Sequence, residues 1–261
     1  MRTIVTTIRK PTDEVIFLAE STAEKLNLKF VERRDFSIEF LKKNFGVENI
    51  LVAKKNSLTL ATEVGELFFH PSTAHLRIKN LREGKTDRLV EVAKIQSGSK
   101  ILDCTLGLGS DAIVESFAVG ENGKVVALEI NPVLAEVIRY GLKNFSADSP
   151  HILQAMRRIE VVTADYLDYL KKAETNSFDA VYFDPMFRHA LKKSSAINFI
   201  RSVADNNSLS ADAVKEACRV AKNVVVMKEN SRSKEFERLG FKISDGGKYS
   251  PISFGVIENL F

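Results

Sequence analysis

The chain has only two cysteines in 261 residues, Cys104 and Cys218, far apart and without a C-x-x-C spacing. This excludes a disulfide framework or a zinc module and leaves both as small buried apolar residues. No stretch approaches the roughly eighteen uninterrupted apolar residues of a membrane span. The opening MRTIVTTIRKPTDE carries no apolar core behind its basic residues, so a cytoplasmic protein with no membrane partner is expected. Internal repeats and low-complexity tracts are also absent. Neither sign of charge dominates, with 38 Lys and Arg against 34 Asp and Glu, a net +4 that permits a nucleic-acid partner without requiring one. His70 and His75 lie five apart, but no carboxylate or cysteine completes a ligand set around them, and no metal is expected.

What is present is a regular alternation of apolar runs with helical patterns. Residues 1–81 read as a small α/β lobe: a strand over 4–7, a helix whose apolar face includes Val15, Ala19 and Ala23, a helix over 37–45, and β-prone runs at 50–53, 58–61 and 67–69. Residues 82–261 read as a second domain. Helices near 87–95, 111–119, 132–143, 210–221 and 231–239 alternate there with strands at 101–102, 125–129, 160–163, 178–183 and 223–227. A hairpin-like pair closes the chain at 240–244 and 252–257. Such alternation predicts a doubly wound, mostly parallel sheet of seven strands, covered on both faces, with an antiparallel pair at one edge.

The stretch KILDCTLGLGSD, from Lys100 to Asp111, organises this domain. A buried strand ends at Asp103, and Gly107 and Gly109 then form a turn into a helix, where residues without a Cβ let the backbone bend sharply and approach a ligand. Gly107, Gly109 and Ala112 also satisfy a dinucleotide fingerprint, with Glu129 near the position of a ribose-binding acid. Charge separates the two cofactors. A pyrophosphate would be opposed by the Asp103 carboxylate, whereas S-adenosylmethionine brings an ammonium and a sulfonium that the same carboxylate favours. An aspartate here can also simply close the turn.

Four predicted strands each end in an acid: Asp103, Glu129, Asp165 and Asp184. Ligands bind at the carboxyl ends of strands in an open parallel sheet. One such acid is commonly a cap, but four together call for a cationic, hydroxyl-rich ligand. Asp103 would meet the donor's ammonium, Glu129 its ribose hydroxyls, and Asp165 its adenine amino group. Gly107 and Gly109 would line the methionine portion, and Tyr166 would offer its backbone N–H to the ring. Thr105, Ser110, Asp111 and Ile130 complete the candidate donor site. The tetrapeptide Asp184-Pro185-Met186-Phe187 suits transfer to a planar amine, whose lone pair is delocalised: Asp184 and the Pro185 carbonyl accept its protons while Phe187 stacks on the base.

Two basic stretches bear on the acceptor. His70, His75 and Arg77, with the lysines and arginines after them, could hold RNA phosphates or form a solvated helix. Arg188, His189, Lys192 and Lys193 follow the reaction motif directly, and either reading applies to them also.

The motifs LDCTLGLGSDA, LEINP and DPMF together resemble the class I S-adenosylmethionine-dependent methyltransferases. More narrowly, they resemble the bacterial family that methylates guanine N2 in small-subunit ribosomal RNA. The likeness runs from about Phe69 to Asn230. It implies a Rossmann-like methyltransferase domain, a donor pocket of Asp103, Gly107, Gly109, Glu129 and Asp165, Asp184 at the target amine, and ribosomal RNA or the small subunit as partner. The sequence departs from that pattern at Ser110, where arginine is common, and at Arg188, where proline is. An adenine-N6 or protein amine methyltransferase, a non-catalytic RNA-binding protein on the same fold, and a nicotinamide oxidoreductase are the alternatives, the last disfavoured by Asp103.

Overall fold

A computed structural model describes residues 2–185, 208–245 and 250–258. Within these the chain forms two compact units, one from Met1–His70 with Pro132–Ser146, the other from Pro71–Asn131 with the described residues after Ala147.

In the smaller unit, β1 (Thr3–Thr7), β2 (Lys29–Phe30), β3 (Asn49–Lys54), β4 (Ser57–Thr62) and β5 (Gly65–Phe68) form a five-stranded sheet in the order β2-β1-β3-β4-β5. β1 runs parallel to β2 and β3, and β3, β4 and β5 follow as an antiparallel meander. The helices are α1 (Asp13–Leu26) and α2 (Ile38–Phe45). α2 starts where Ser37 Oγ accepts from the Phe40 amide at 3.0 Å, a side-chain cap that satisfies an otherwise orphaned donor. It ends at Gly46, whose φ of 60° is the left-handed conformation that favours glycine. Leu41 packs with Ile4, Ile50 and Val52 into a local core. The predicted strands and the second helix of this lobe are all found, each within a residue or two.

Helix α6 (Pro132–Asn144) belongs to the same unit and packs against β4. Its Gly141 is there for space: a Cβ would stand 2.2 Å from Phe69 Cβ, so only glycine admits that side chain.

The larger unit holds a seven-stranded sheet. Its strands are β6 (Lys100–Asp103), β7 (Lys124–Glu129), β8 (Ile159–Thr163), β9 (Phe178–Phe183), β10 (Ala221–Asn230), β11 (Lys242–Asp245) and β12 (Ile252–Glu258), in the order β11-β12-β10-β9-β6-β7-β8. β8 through β10 are parallel, and β12 runs antiparallel to both β10 and β11. Interior strands read as near-continuous apolar runs, as burial on both faces requires, and Leu102, Val126, Val181 and Val225 sit in one core cluster. The predicted doubly wound architecture and its antiparallel edge are therefore found.

The helices of this unit are α3 (Ala74–Arg82), α4 (Arg88–Val92), α5 (Ser110–Val119), α7 (Pro150–Arg157), α8 (Tyr166–Lys172) and two further ones at Ala211–Val220 and Glu235–Leu239. α4 is shorter than the predicted 87–95. α7 has no counterpart among the predicted helices: Pro150 opens it, and Ile152, Ala155 and Met156 fall on one buried face between His151, Gln154 and Arg157. Ser116 of α5 donates to the Ala155 carbonyl at 2.7 Å and ties the two helices together.

Sequence order reverses between β6 and β9: from β6 the chain steps outward to β7 and β8, then returns to place β9 and β10 on the other side. Such a reversal opens a crevice at the carboxyl ends of the two strands. Among the described residues no helix is long and apolar enough to cross a membrane, and no group of three His, Cys, Asp or Glu side chains could hold a metal ion.

Candidate active site

Asp103 ends β6, Glu129 ends β7, Asp165 follows β8 by two residues and Asp184 follows β9 directly, so all four acids predicted from the sequence stand at carboxyl ends of parallel strands. The two at the reversal are linked. Asp103 Oδ1 accepts from the Thr105 amide at 2.8 Å, and Thr105 Oγ in turn accepts from the Asp184 amide at 2.6 Å. The Cys104 amide donates to the Tyr182 carbonyl and the Leu106 amide to the Leu128 carbonyl, each at 2.9 Å, which fixes this turn against β9 and β7. Gly107 and Gly109 then take φ of 50° and 79°, and α5 begins at Ser110. Ser110 Oγ lies 3.0 Å from Thr73 Oγ.

Asp103 is 1% exposed, and burial pushes its carboxyl up to about 8, the Thr105 amide opposing and the nearby Asp111 adding to the rise. Burial likewise lifts Glu129 to about 7, against the Asn131, Gly107 and Ile130 amides that favour its charged form. Glu129 Oε1 accepts from the Asn131 amide at 2.9 Å. Two buried carboxyls, neither in an ion pair among the described residues, are costly to charge. An ammonium at Asp103 and hydroxyl donors at Glu129 would satisfy them, and a phosphate would not. The donor set therefore fits S-adenosylmethionine. Asp165 caps α8, its Oδ1 accepting from the Leu167 and Asp168 amides at 2.8 and 3.0 Å, while Oδ2 has no partner among the described residues. Tyr166 opens α8 with its ring edge-on to Phe183, and Ile130 is 43% exposed beside Glu129.

The acceptor side is more heavily charged than the sequence suggests. Asp184 Oδ2 lies 2.7 Å from Lys228 Nζ, and the same ammonium is 2.8 Å from Asp111 Oδ2, which also accepts from the Tyr182 hydroxyl at 2.9 Å. Asp111 Oδ1 pairs with Arg77 Nη1, and the rest of that guanidinium forms a fork with Asp87 at 2.7 and 2.8 Å. Burial alone would raise Asp111, but Lys228 and Arg77 outweigh it and hold the carboxyl well below the usual range. Asp184 is raised by burial and by Asp111, with Lys228 opposing. Glu115, fully buried one turn further along α5, has no partner for either oxygen among the described residues, and burial pushes its carboxyl well above the ordinary value.

Lys228, Tyr182, Asp87 and Glu115 are the members that sequence reasoning missed. Lys228 carried a usable signal, since it follows the buried run Val224–Met227 at the carboxyl end of β10. The predicted RNA contacts are dispersed: His75 is exposed on α3, Arg77 is engaged by carboxylates, and His70 lies in the smaller unit edge-on to Phe145. Pro185 follows Asp184 and is half-buried. Phe187, Arg188, His189, Lys192 and Lys193 lie outside the described residues.

A protein of Bacillus subtilis named "Uncharacterized protein YpiP" is 36% identical over 256 residues, covering 98% of this chain and 99% of that one. "Ribosomal RNA small subunit methyltransferase J" of Buchnera aphidicola is 30% identical over 59% of this chain, and that of Coxiella burnetii is 30% identical over 62%. These alignments span only 63% and 62% of the two relatives' own lengths. A crystal structure of a SAM-dependent methyltransferase from Neisseria gonorrhoeae superposes with a TM-score of 0.65 at 18% identity, covering 97% of this chain and 95% of that one, and so shares the fold. Residues 21–248 match the family model described as "Putative SAM-dependent methyltransferase". With that match spanning most of the chain, the protein belongs to this family and is an S-adenosylmethionine-dependent methyltransferase.

Proposed function

We propose that this enzyme methylates an exocyclic amine of a base in RNA, with guanine N2 of small-subunit ribosomal RNA as the target: the relatives' names point to small-subunit ribosomal RNA, and the resemblance carried by LDCTLGLGSDA, LEINP and DPMF points to guanine N2. The observation that carries the reading is the pairing of two strand-end acids at the reversal of the sheet, Asp103 and Asp184, joined through Thr105. It separates a donor-facing carboxylate from an acceptor-facing one. The relatives named for ribosomal RNA methylation support RNA as the acceptor.

Bound S-adenosylmethionine supplies an electrophilic methyl group on a cationic sulfur. The chain's part is to hold the partners. Asp103 meets the ammonium, Glu129 the ribose hydroxyls, and Asp165 Oδ2 the adenine amino group. Gly107 and Gly109 admit the methionine portion, and Ile130 offers an apolar edge. Thr105, Ser110 and Asp111 fix the turn, and the Tyr166 amide stands at the start of α8 for the ring. Asp184 and the Pro185 carbonyl accept the two amine protons of the base, which turns the nitrogen lone pair out of conjugation and toward the methyl group. Stacking by Phe187 and phosphate contacts from the basic residues after it complete the proposal from sequence. In the same reading residues 1–81 are a structural or substrate-presenting lobe and residues 82–261 the methyltransferase domain.

Two measurements test the halves separately. Mass mapping of ribosomal RNA from a strain lacking the gene should show one guanosine short of a methyl group, restored by the purified protein with the donor. Loss at an adenine or in a protein, or no change, would overturn the target. For the donor, Asp103 is neutral below about 8 and charged above it, whereas a free α-ammonium is lost near pH 8. Calorimetric affinity should therefore rise from pH 6 to a maximum near 8, with proton release on binding, and fall beyond. Asp103→Asn should flatten the acid side and weaken binding by about tenfold or more. A pH-independent affinity in the native protein would exclude this role for Asp103.

A further inference from the structure

An alternating row of charges, Asp87, Arg77, Asp111, Lys228 and Asp184, ends on the carboxylate assigned to the target amine. Lys228 is the link that touches it. Its ammonium bridges Asp111 Oδ2 at 2.8 Å and Asp184 Oδ2 at 2.7 Å, and its side chain is 18% exposed. Asp184 Oδ1 has no partner among the described residues. We propose that Lys228 is a positioning residue for the transfer: anchored on Asp111, it occupies one oxygen of Asp184 and leaves the other as the acceptor for the base's amine. This rests on the function proposed above and deepens it.

A lysine side chain has four rotatable bonds and does not hold one place by itself. Here its far end is fixed. Asp111, its anchor, is held on one oxygen by Arg77, which grips Asp87 with the rest of its fork, and on the other by the Tyr182 hydroxyl. Four elements, α3, α5, β9 and β10, thus set the position of one ammonium. A surface lysine free for phosphate would not be placed between two carboxylates in this way.

The row also settles what Asp184 can do. Facing it are Asp111 from α5, Asp103 from β6 and the Tyr182 hydroxyl from β9, with Lys228 and Arg77 as the cations. Burial and Asp111 raise the Asp184 carboxyl, and Lys228 is the largest influence restraining it. Without that ammonium the Asp184 carboxyl would be raised further and would hold its proton to higher pH. A protonated carboxyl presents a donor where the amine of the base requires an acceptor. The sign follows: losing Lys228 raises the Asp184 midpoint and moves the acid limb of methyl transfer to higher pH.

The test is a carbon-13 carboxyl titration by NMR of the full-length native protein, Lys228→Met and Lys228→Arg, with Asp184→Asn identifying the resonance. The Asp184 midpoint should rise by about one pH unit or more in Lys228→Met and return toward the native value in Lys228→Arg, whose charge is retained. The acid limb of the transfer rate should move with it. A purely structural lysine would lower thermal stability and leave the acid limb of the transfer rate in place. A folded Lys228→Met with an unmoved midpoint or acid limb therefore overturns the proposal, and Lys228→Gln carries the same expectation should the methionine variant not fold. Failure of the native enzyme to methylate ribosomal RNA would instead strike the target proposed above, with the titration still deciding what Lys228 does to Asp184.

Discussion

Asp184→Asn leaves donor affinity within about threefold and lowers the single-turnover rate of methyl transfer by about 10²–10⁴-fold, the range for removing one well-placed proton acceptor or charge-stabilising group. The donor side is insulated because its proposed anchors are Asp103 and Glu129, and because the link between the two strand ends runs through the Asp184 backbone amide, which the substitution retains. The side chain is where the loss falls. Lys228 will draw the amide oxygen toward its ammonium, and that turns the new NH2 group to the side where the base presents its own N–H. Donor then meets donor. The nitrogen lone pair stays in conjugation and the cation formed on transfer has no carboxylate beside it. Retained donor binding with a native rate would remove Asp184 from the reaction, while joint loss of both would mean that the residue supports the pocket as a whole.

The rim of acids was legible in the sequence because two simple regularities coincide on it: apolar runs of strand length, and an acid at the end of each or within two residues of it. Neither depends on distant partners. The glycine turn was legible for the same reason, since Gly107 and Gly109 answer a local backbone demand that the structure meets with positive φ at both. Asp165 shows the limit of local reading. It is a strand-end acid and a helix cap at once, and only the hydrogen bonds show that one oxygen is committed to the cap.

Long-range pairing was not legible. Arg77 appears in the sequence as one cation in a basic stretch, and nothing there indicates that its partners are Asp87 and Asp111. Lys228 stands at a strand end like the acids, but its charge is of the opposite sign, so the pattern that marks them does not mark it. A cation at the same position has as much claim, since a carboxylate rim at low dielectric requires a counter-charge. The parallel pairing of β1 with β3 in the smaller unit belongs to the same class: each strand is visible in the sequence, and their adjacency is not.

The charge row makes a second large effect predictable. Arg77→Met should destabilise the protein by about 3 kcal/mol, the lower part of the range for breaking one partner out of a buried ionic network, and lower the melting temperature by about 6 °C on the usual scaling for a chain of this size. The lower figure is appropriate because the Arg77 side chain is 23% exposed and water screens part of the effect. Asp87 would keep its capping bonds to the Leu89 and Val90 amides, and Asp111 would keep Lys228 and Tyr182, but each would lose its tie to α3. The pH dependence has a definite sign. The Asp111 carboxyl is held below its ordinary value in the folded protein, so its stabilising contribution is present above the ordinary carboxylate range and is lost as pH falls through and below that range. The native protein and Arg77→Met should therefore differ most near neutral pH and converge toward pH 3. Calorimetric or denaturant unfolding at both ends of that range reads the difference. If Arg77 serves RNA phosphates instead, the variant should melt like the native protein and lose affinity for RNA with a shallower salt dependence, so one substitution decides between the two uses of this arginine.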